Sequence, residues 1–187
     1  MKKYFFLLFT LGAICMINAQ ENMAIISGGY VFANIEDSDE DATGWRINAS
    51  YEFNPYRGKF SHGIAIGYIE TTASESYDGI GDFDDIDFTM TSIPVYYAPK
   101  YNFGSGALKG FLKGALGWHF SDYEKRGGVA DVSVSDSGFY GGLALGAMFN
   151  VSSTMFLNAE YEWAYLSNYY YKDGNINSIM GGIGFRF

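Results

Sequence analysis

The sequence predicts an all-β protein, an eight-stranded antiparallel up-and-down transmembrane β-barrel preceded by a cleavable signal peptide. Three observations carry that prediction. Apolar and polar residues alternate over most of the chain, the period of a strand with two unlike faces. A short signature, an aromatic followed by Asn, closes such runs at Phe53-Asn54, Tyr101-Asn102 and Phe149-Asn150, so that the three Asn recur 48 positions apart. That spacing fits two strands and one long loop, and three such turns imply four hairpins. Beyond the first residues, no apolar run approaches the ~20 residues of a spanning helix, so strands must do any spanning.

The leader opens Met1-Lys2-Lys3, continues as an apolar block from Tyr4 to Ile17 and ends at Asn18-Ala19-Gln20. Charged, greasy and small-residue regions in that order define a secretory signal peptide. Cleavage is expected after Ala19, leaving residues 20–187 as one barrel domain. Cys15 follows Ile14, where a lipid-attachment motif needs a small residue, which disfavours a lipoprotein. Removal of the leader takes away the one cysteine with Lys2 and Lys3, and the net charge falls from −9 to −11. No disulfide framework remains, and the acidic balance disfavours nucleic-acid binding because it repels phosphates.

The expected strands are 24–35, 44–54, 61–73, 87–102, 110–121, 138–150, 155–167 and 177–187. Short connections fall around Pro55 to Lys59, Gly104 to Ala107 and Val151 to Ser153. Longer polar ones fall near Glu36 to Thr43, Ser74 to Ile86, Asp122 to Ser137 and Asn168 to Asn177. Membrane barrels pair short periplasmic turns with longer external loops, and an even strand number returns both termini to the periplasmic side.

The second and seventh strands show the two faces best. Trp45, Ile47, Ala49, Tyr51 and Phe53 alternate with Arg46, Asn48, Ser50, Glu52 and Asn54. Leu157, Ala159, Tyr161, Trp163 and Tyr165 alternate with Asn158, Glu160 and Glu162. Elsewhere the less apolar face is small: Gly63, Ala65 and Gly67; Gly142, Ala144 and Gly146; Gly182 and Gly184. A soluble barrel turned polar side outward would expose those uncharged patches. Inside a narrow barrel they make room for larger side chains on other strands. Aromatics gather toward strand ends, where interfacial girdles belong.

The interior is expected to hold Arg46, Glu52, Lys100, Lys113, Glu160, Glu162 and Arg186. Charges confined away from water should pair. The favoured reading is an ion-pair plug that fixes packing; the other is a narrow small-solute or ion channel. Two external segments are acidic, one with Glu36, Asp37, Asp39, Glu40 and Asp41, the other with Asp82, Asp84 and Asp85 among its carboxylates. Solvated loop charge is the plain reading, and weak Ca²⁺ or Mg²⁺ binding at the lipopolysaccharide surface the sharper one. Tyr165, Tyr169, Tyr170 and Tyr171 would make the last loop a sticky aromatic tip for a ligand. His119 with Ser121 and a carboxylate such as Glu124 sketches a nucleophilic site, but residues so close in sequence need not converge. No enzyme, cofactor or metal centre is expected.

The last residues, Ile183-Gly184-Phe185-Arg186-Phe187, with Ser92-Ile93-Pro94-Val95 and Gly114-Ala115-Leu116-Gly117, resemble the small eight-stranded outer-membrane proteins of the OmpX and OmpA-barrel type. The resemblance covers the mature chain. It implies residence in the outer membrane of a Gram-negative bacterium, among outer-membrane lipid and lipopolysaccharide. It also implies recognition of the last strand by the insertion machinery through Ile183, Phe185 and Phe187. A monomer without enzymatic activity is the expectation, serving envelope integrity, adhesion or ligand binding. A lipid A-modifying enzyme is the remote alternative. The sequence carries no peptidoglycan-binding domain after Phe187, so cell-wall tethering is not expected.

Overall fold

The computed structural model describes residues 21–35, 41–54, 58–75, 86–126, 131–168 and 170–187. The expected signal peptide, Glu36, Asp37, Asp39, Glu40, Asp82, Asp84, Asp85 and Tyr169 lie outside the described residues.

The strands are β1 (Glu21–Asn34), β2 (Asp41–Asn54), β3 (Phe60–Glu75), β4 (Ile86–Tyr97), β5 (Lys100–Phe103), β6 (Leu108–Arg126), β7 (Val132–Asn150), β8 (Met155–Leu166) and β9 (Asn175–Arg186). β4 and β5 are two parts of one stave, broken at Ala98-Pro99, because proline has no N–H to give the ladder. The gap is bridged by Ala98 N–H to Gly63 O (2.8 Å) and Gly114 N–H to Pro99 O (2.8 Å). Eight staves therefore pair antiparallel, each with its sequence neighbours, and the sheet closes on itself between β1 and β9. The closing seam runs from Met23↔Arg186 to Phe32↔Asn177. Asn22 and Phe187 then exchange backbone hydrogen bonds of 3.2 and 3.0 Å. Closure leaves no strand edge along this seam.

The 48-residue signature has a structural meaning. Asn54 caps its own turn, its amide donating to Gly58 O (2.6 Å) and its carbonyl accepting from Gly58 N–H (2.9 Å). Asn102 reaches sideways to Lys59 O (3.4 Å), and Asn150 to Gly106 O (3.1 Å). Each later asparagine ties its stave to the preceding turn. Gly104 and Gly106 in the second turn have φ of +87° and +86°, a region that favours glycine. These tight connections and both ends of the barrel domain share one rim, the turn end; the longer connections form the loop end.

β6 and β7 are 19 residues each, longer than expected. Their hairpin carries pairing past His119↔Gly138 out to Lys125↔Val132. The polar residues there, which suggested a loop, are strand residues with Ser135 Oγ donating to Asp122 (2.6 Å) across the pair.

Candidate functional site

Alternation places side chains on two faces, and the structure gives each face its height. On the outer wall Ile26, Ile47, Ile64, Ile66, Leu116, Leu143, Leu145 and Ile179 are exposed. Toward the loop end this wall ends in Tyr30, Trp45, Trp118, Phe120, Phe139 and Trp163; toward the turn end it ends in Tyr51, Phe60, Tyr97, Tyr101, Phe149 and Phe185. An apolar band between two aromatic belts matches a hydrocarbon layer with an interface on each side.

The inner face holds a ladder of ion pairs. Arg46 on β2 donates to Glu162 Oε1 on β8 (2.6 Å), to Tyr140 Oη (2.9 Å) and to Tyr96 Oη (3.2 Å). Tyr140 in turn donates to Glu162 (2.5 Å) and Tyr96 to Asn48 (2.9 Å). Lys113 bridges Glu160 (2.7 Å) and the second oxygen of Glu162 (3.4 Å). Lys100, directly across the ladder from Lys113, turns instead to Glu52. Both residues of the Arg46–Glu162 pair are buried, so each charge depends on the other in place of water. Three cations meet three carboxylates, and the set is neutral.

Arg186 does not join them. It occupies the last inward position of β9, level with the turns, where it pairs with Glu21 (3.2 Å), donates to Asn150 Oδ1 (2.7 Å) and lies 4.4 Å above the Phe156 ring. Arg186 is therefore inward, as expected, but stands apart from the ladder, since inward phase does not fix depth along the barrel.

Clusters of apolar side chains lie on both sides of the ladder. At the turn end Met23, Ile25, Phe111, Met148 and Phe156 form one cluster. The glycines opposite are what admit its rings, because a Cβ at Gly146 would lie 2.3 Å from Phe111 and one at Gly184 2.1 Å from Phe156. At the loop end Val31, Ile69, Met90, Leu166, Tyr171 and Ile176 belong to a second cluster. Between them a cavity of about 10 Å³ is lined by Ser27, Asn48, Lys100, Asn158 and Glu160, the space of a single water.

Tyr171 corrects the aromatic-tip reading. Its side chain is buried in the loop-end cluster, hydrogen-bonded to Thr71 Oγ1 (2.8 Å), and its backbone bridges Ile35. Tyr170 stacks on Tyr123 at 4.1 Å, and Tyr165 packs against Phe139 on the outer belt. Of the acidic residues, Asp41 is exposed at the start of β2. Among the described residues no group of three or more metal-ligating side chains converges.

His119 Nδ1 meets Ser121 Oγ at 2.8 Å, and Ser121 meets Ser92 Oγ at 2.7 Å. All three are buried inward, whereas Glu124 is paired with Arg126 (2.9 Å) on the exposed hairpin. The sketched triad is therefore not assembled with Glu124; the serine–histidine chain is an interior packing contact between β4 and β6.

A closed eight-stave barrel with a belted apolar wall defines a small transmembrane β-barrel. The chain belongs to the outer membrane protein beta-barrel domain family, whose model matches residues 5–187. Comparison with curated proteins gives no significant match. Among solved structures, neisserial surface protein A is 15% identical with a TM-score of 0.61, covering 91% of this chain and 98% of that one. Ail, the attachment invasion locus protein of Yersinia pestis, solved with the heparin analogue sucrose octasulfate, is 22% identical with a TM-score of 0.54, covering 89% and 99%. A major outer membrane protein of Thermus thermophilus is 9% identical with a TM-score of 0.62, covering 89% and 99%. At these identities the likeness is one of fold.

Proposed function

We propose that this is a non-enzymatic, non-conducting barrel of the outer membrane whose work is done at its loop end, through adhesion or ligand binding, with the barrel itself contributing to envelope integrity. One observation carries the reading: the neutral ion-pair ladder lies between two apolar clusters, so the bore offers ions no continuous polar path. The turn end then faces the periplasm and the loop end the exterior, with lipopolysaccharide around the outer belt. The barrel works as a monomer, and Ile183, Phe185 and Phe187 on the outward face of β9 present its insertion signal.

The Ail structure holds a sulfated sugar. This chain's net charge of −9 favours a basic partner, or one bridged by divalent cations through segments 36–41 and 82–85, over a polyanion. The test of the main reading is single-channel recording of the refolded mature protein in a planar bilayer. A silent membrane, with insertion verified by protease protection, is expected. Discrete current steps whose selectivity changes in a Glu160→Gln, Glu162→Gln variant would replace it with the channel reading.

A further inference from the structure

His62 is the imidazole on the lipid-facing wall. It lies on β3 two residues from Phe60 and two from Ile64, both exposed on the same face. It sits within the aromatic belt of the turn end. Phe53, its partner across the β2 ladder, stacks on it at 5.3 Å and 21°, and Phe60 meets it edge-on at 4.9 Å and 81°. The Tyr97 hydroxyl of β4 is hydrogen-bonded to its Nδ1.

We propose that this ring is a binding site for the phosphate of a phospholipid in the leaflet at the turn end. The proposal rests on the family membership and hence on a membrane around the belt. A phenol is the better donor and an imidazole nitrogen the better acceptor, so Tyr97 donates to Nδ1 and the proton of the neutral ring sits on Nε2. When the ring is protonated Nδ1 donates to Tyr97, and Nε2 still carries its proton. In both charge states, among the described residues, Nε2 keeps a donor without a protein acceptor, and that donor is left to the interface.

The acceptors available at that depth are lipid headgroups and interfacial water. Phosphate is the choice because charge favours it. Among the described residues, the titratable and charged groups nearby are Tyr97 from β4 and Lys59 in the preceding turn, while Phe53 and Phe60 are neutral. Among the described residues no carboxylate lies within ion-pair distance of His62 to compete. Lys59 is exposed three residues earlier, a second cation at the level of the headgroups. The flanking rings restrain the imidazole so that an edge, rather than a face, meets the lipid.

The experiment uses the refolded mature barrel in nanodiscs of phosphatidylethanolamine with a minority of phosphatidylglycerol. The protein is released into mild detergent, and retained lipid is counted by native mass spectrometry. The wild type is expected to retain phosphatidylglycerol. His62→Phe, which keeps the ring packing, should lose roughly fivefold, the worth of one charge-assisted hydrogen bond at a wet interface. His62→Gln keeps a donor without a charge and should retain an amount between those of the wild type and His62→Phe. Folding of each variant is checked by its migration in unboiled detergent gels. Equal retention by wild type and His62→Phe would overturn the proposal, leaving His62 as a water-facing member of the belt. Displacement of the lipid by inorganic phosphate would overturn it equally, by making the free ion the ligand.

Discussion

Glu162 accepts from Arg46 and Tyr140 and meets Lys113, so three groups from three other staves converge on one carboxylate. Removing one member of a buried pair strands the other charge, which costs about 3–5 kcal/mol, whereas replacing both by apolar groups can be neutral. Glu162→Ala is therefore expected to destabilise by roughly that amount in urea unfolding from lipid vesicles. Arg46→Met combined with Glu162→Leu should recover about half of the loss or more. A double variant as unstable as the single would show that Lys113 and Tyr140, not Arg46, depend on this carboxylate. At this scale the sequence was legible where a charge sat in inward phase on a cleanly alternating strand, as Arg46, Glu52, Glu160 and Glu162 do. It was not legible for Arg186, whose phase is right and whose depth is not, because alternation reports a face and carries no coordinate along the axis.

The last strand shows how one element serves two environments. On β9 Gly182 faces inward between Ser27 of β1 and Asn158 of β8, and a Cβ there would lie 2.4 Å from Ile26 O. Its neighbour Gly181 faces lipid, where the nearest atom to an added Cβ is Asn158 O at 3.8 Å. Gly182→Ala must push β1 and β9 apart at the closing seam and is expected to cost about 1–3 kcal/mol. Gly181→Ala should stay within about 0.5 kcal/mol, since it adds a methyl to an apolar face and restricts the unfolded chain. The pair is read by the same unfolding titration, and equal effects would mean that the seam relaxes around an added methyl. Strand number, order and turn positions were readable because the Asn signature marks one rim. Strand length was not: Ser133, Ser135 and Asp136 look like loop residues, yet β6 offers β7 a ladder that low β-propensity does not forbid. Pro99 breaks its stave for a reason the sequence does hold, the missing N–H, though nothing local says that β5 resumes one residue later.

For the barrel as a whole, what matters is that its closures act in series. An ion crossing from rim to rim meets the Met90–Tyr171–Ile176 cluster, then the ladder, then the Phe111–Phe156 cluster, and the poorest conductor sets the current. The seals were not legible in the sequence because Val31, Ile69, Met90, Leu166 and Ile176 are apolar residues scattered among small and polar ones on the inward faces of different strands. Only stacked at one height do they form a layer, and that needs the register. Truncating one seal, by Phe156→Ala or by Tyr171→Ala, should cost a few kcal/mol of stability, about 3–5 for the phenylalanine. It should leave the bilayer silent because the opposite apolar layer still excludes hydrated ions. Joining the two truncations leaves the charged ladder as the narrowest point, one that water and ions can solvate. The doubly truncated barrel is then expected to show discrete current steps in a planar bilayer, with cation and anion preference shifted by a further Glu160→Gln. If a single truncation conducts as well as the double, the remaining cluster is no barrier. The closed state would then rest on the truncated cluster alone, because the ladder, intact in that variant, would already be passing ions.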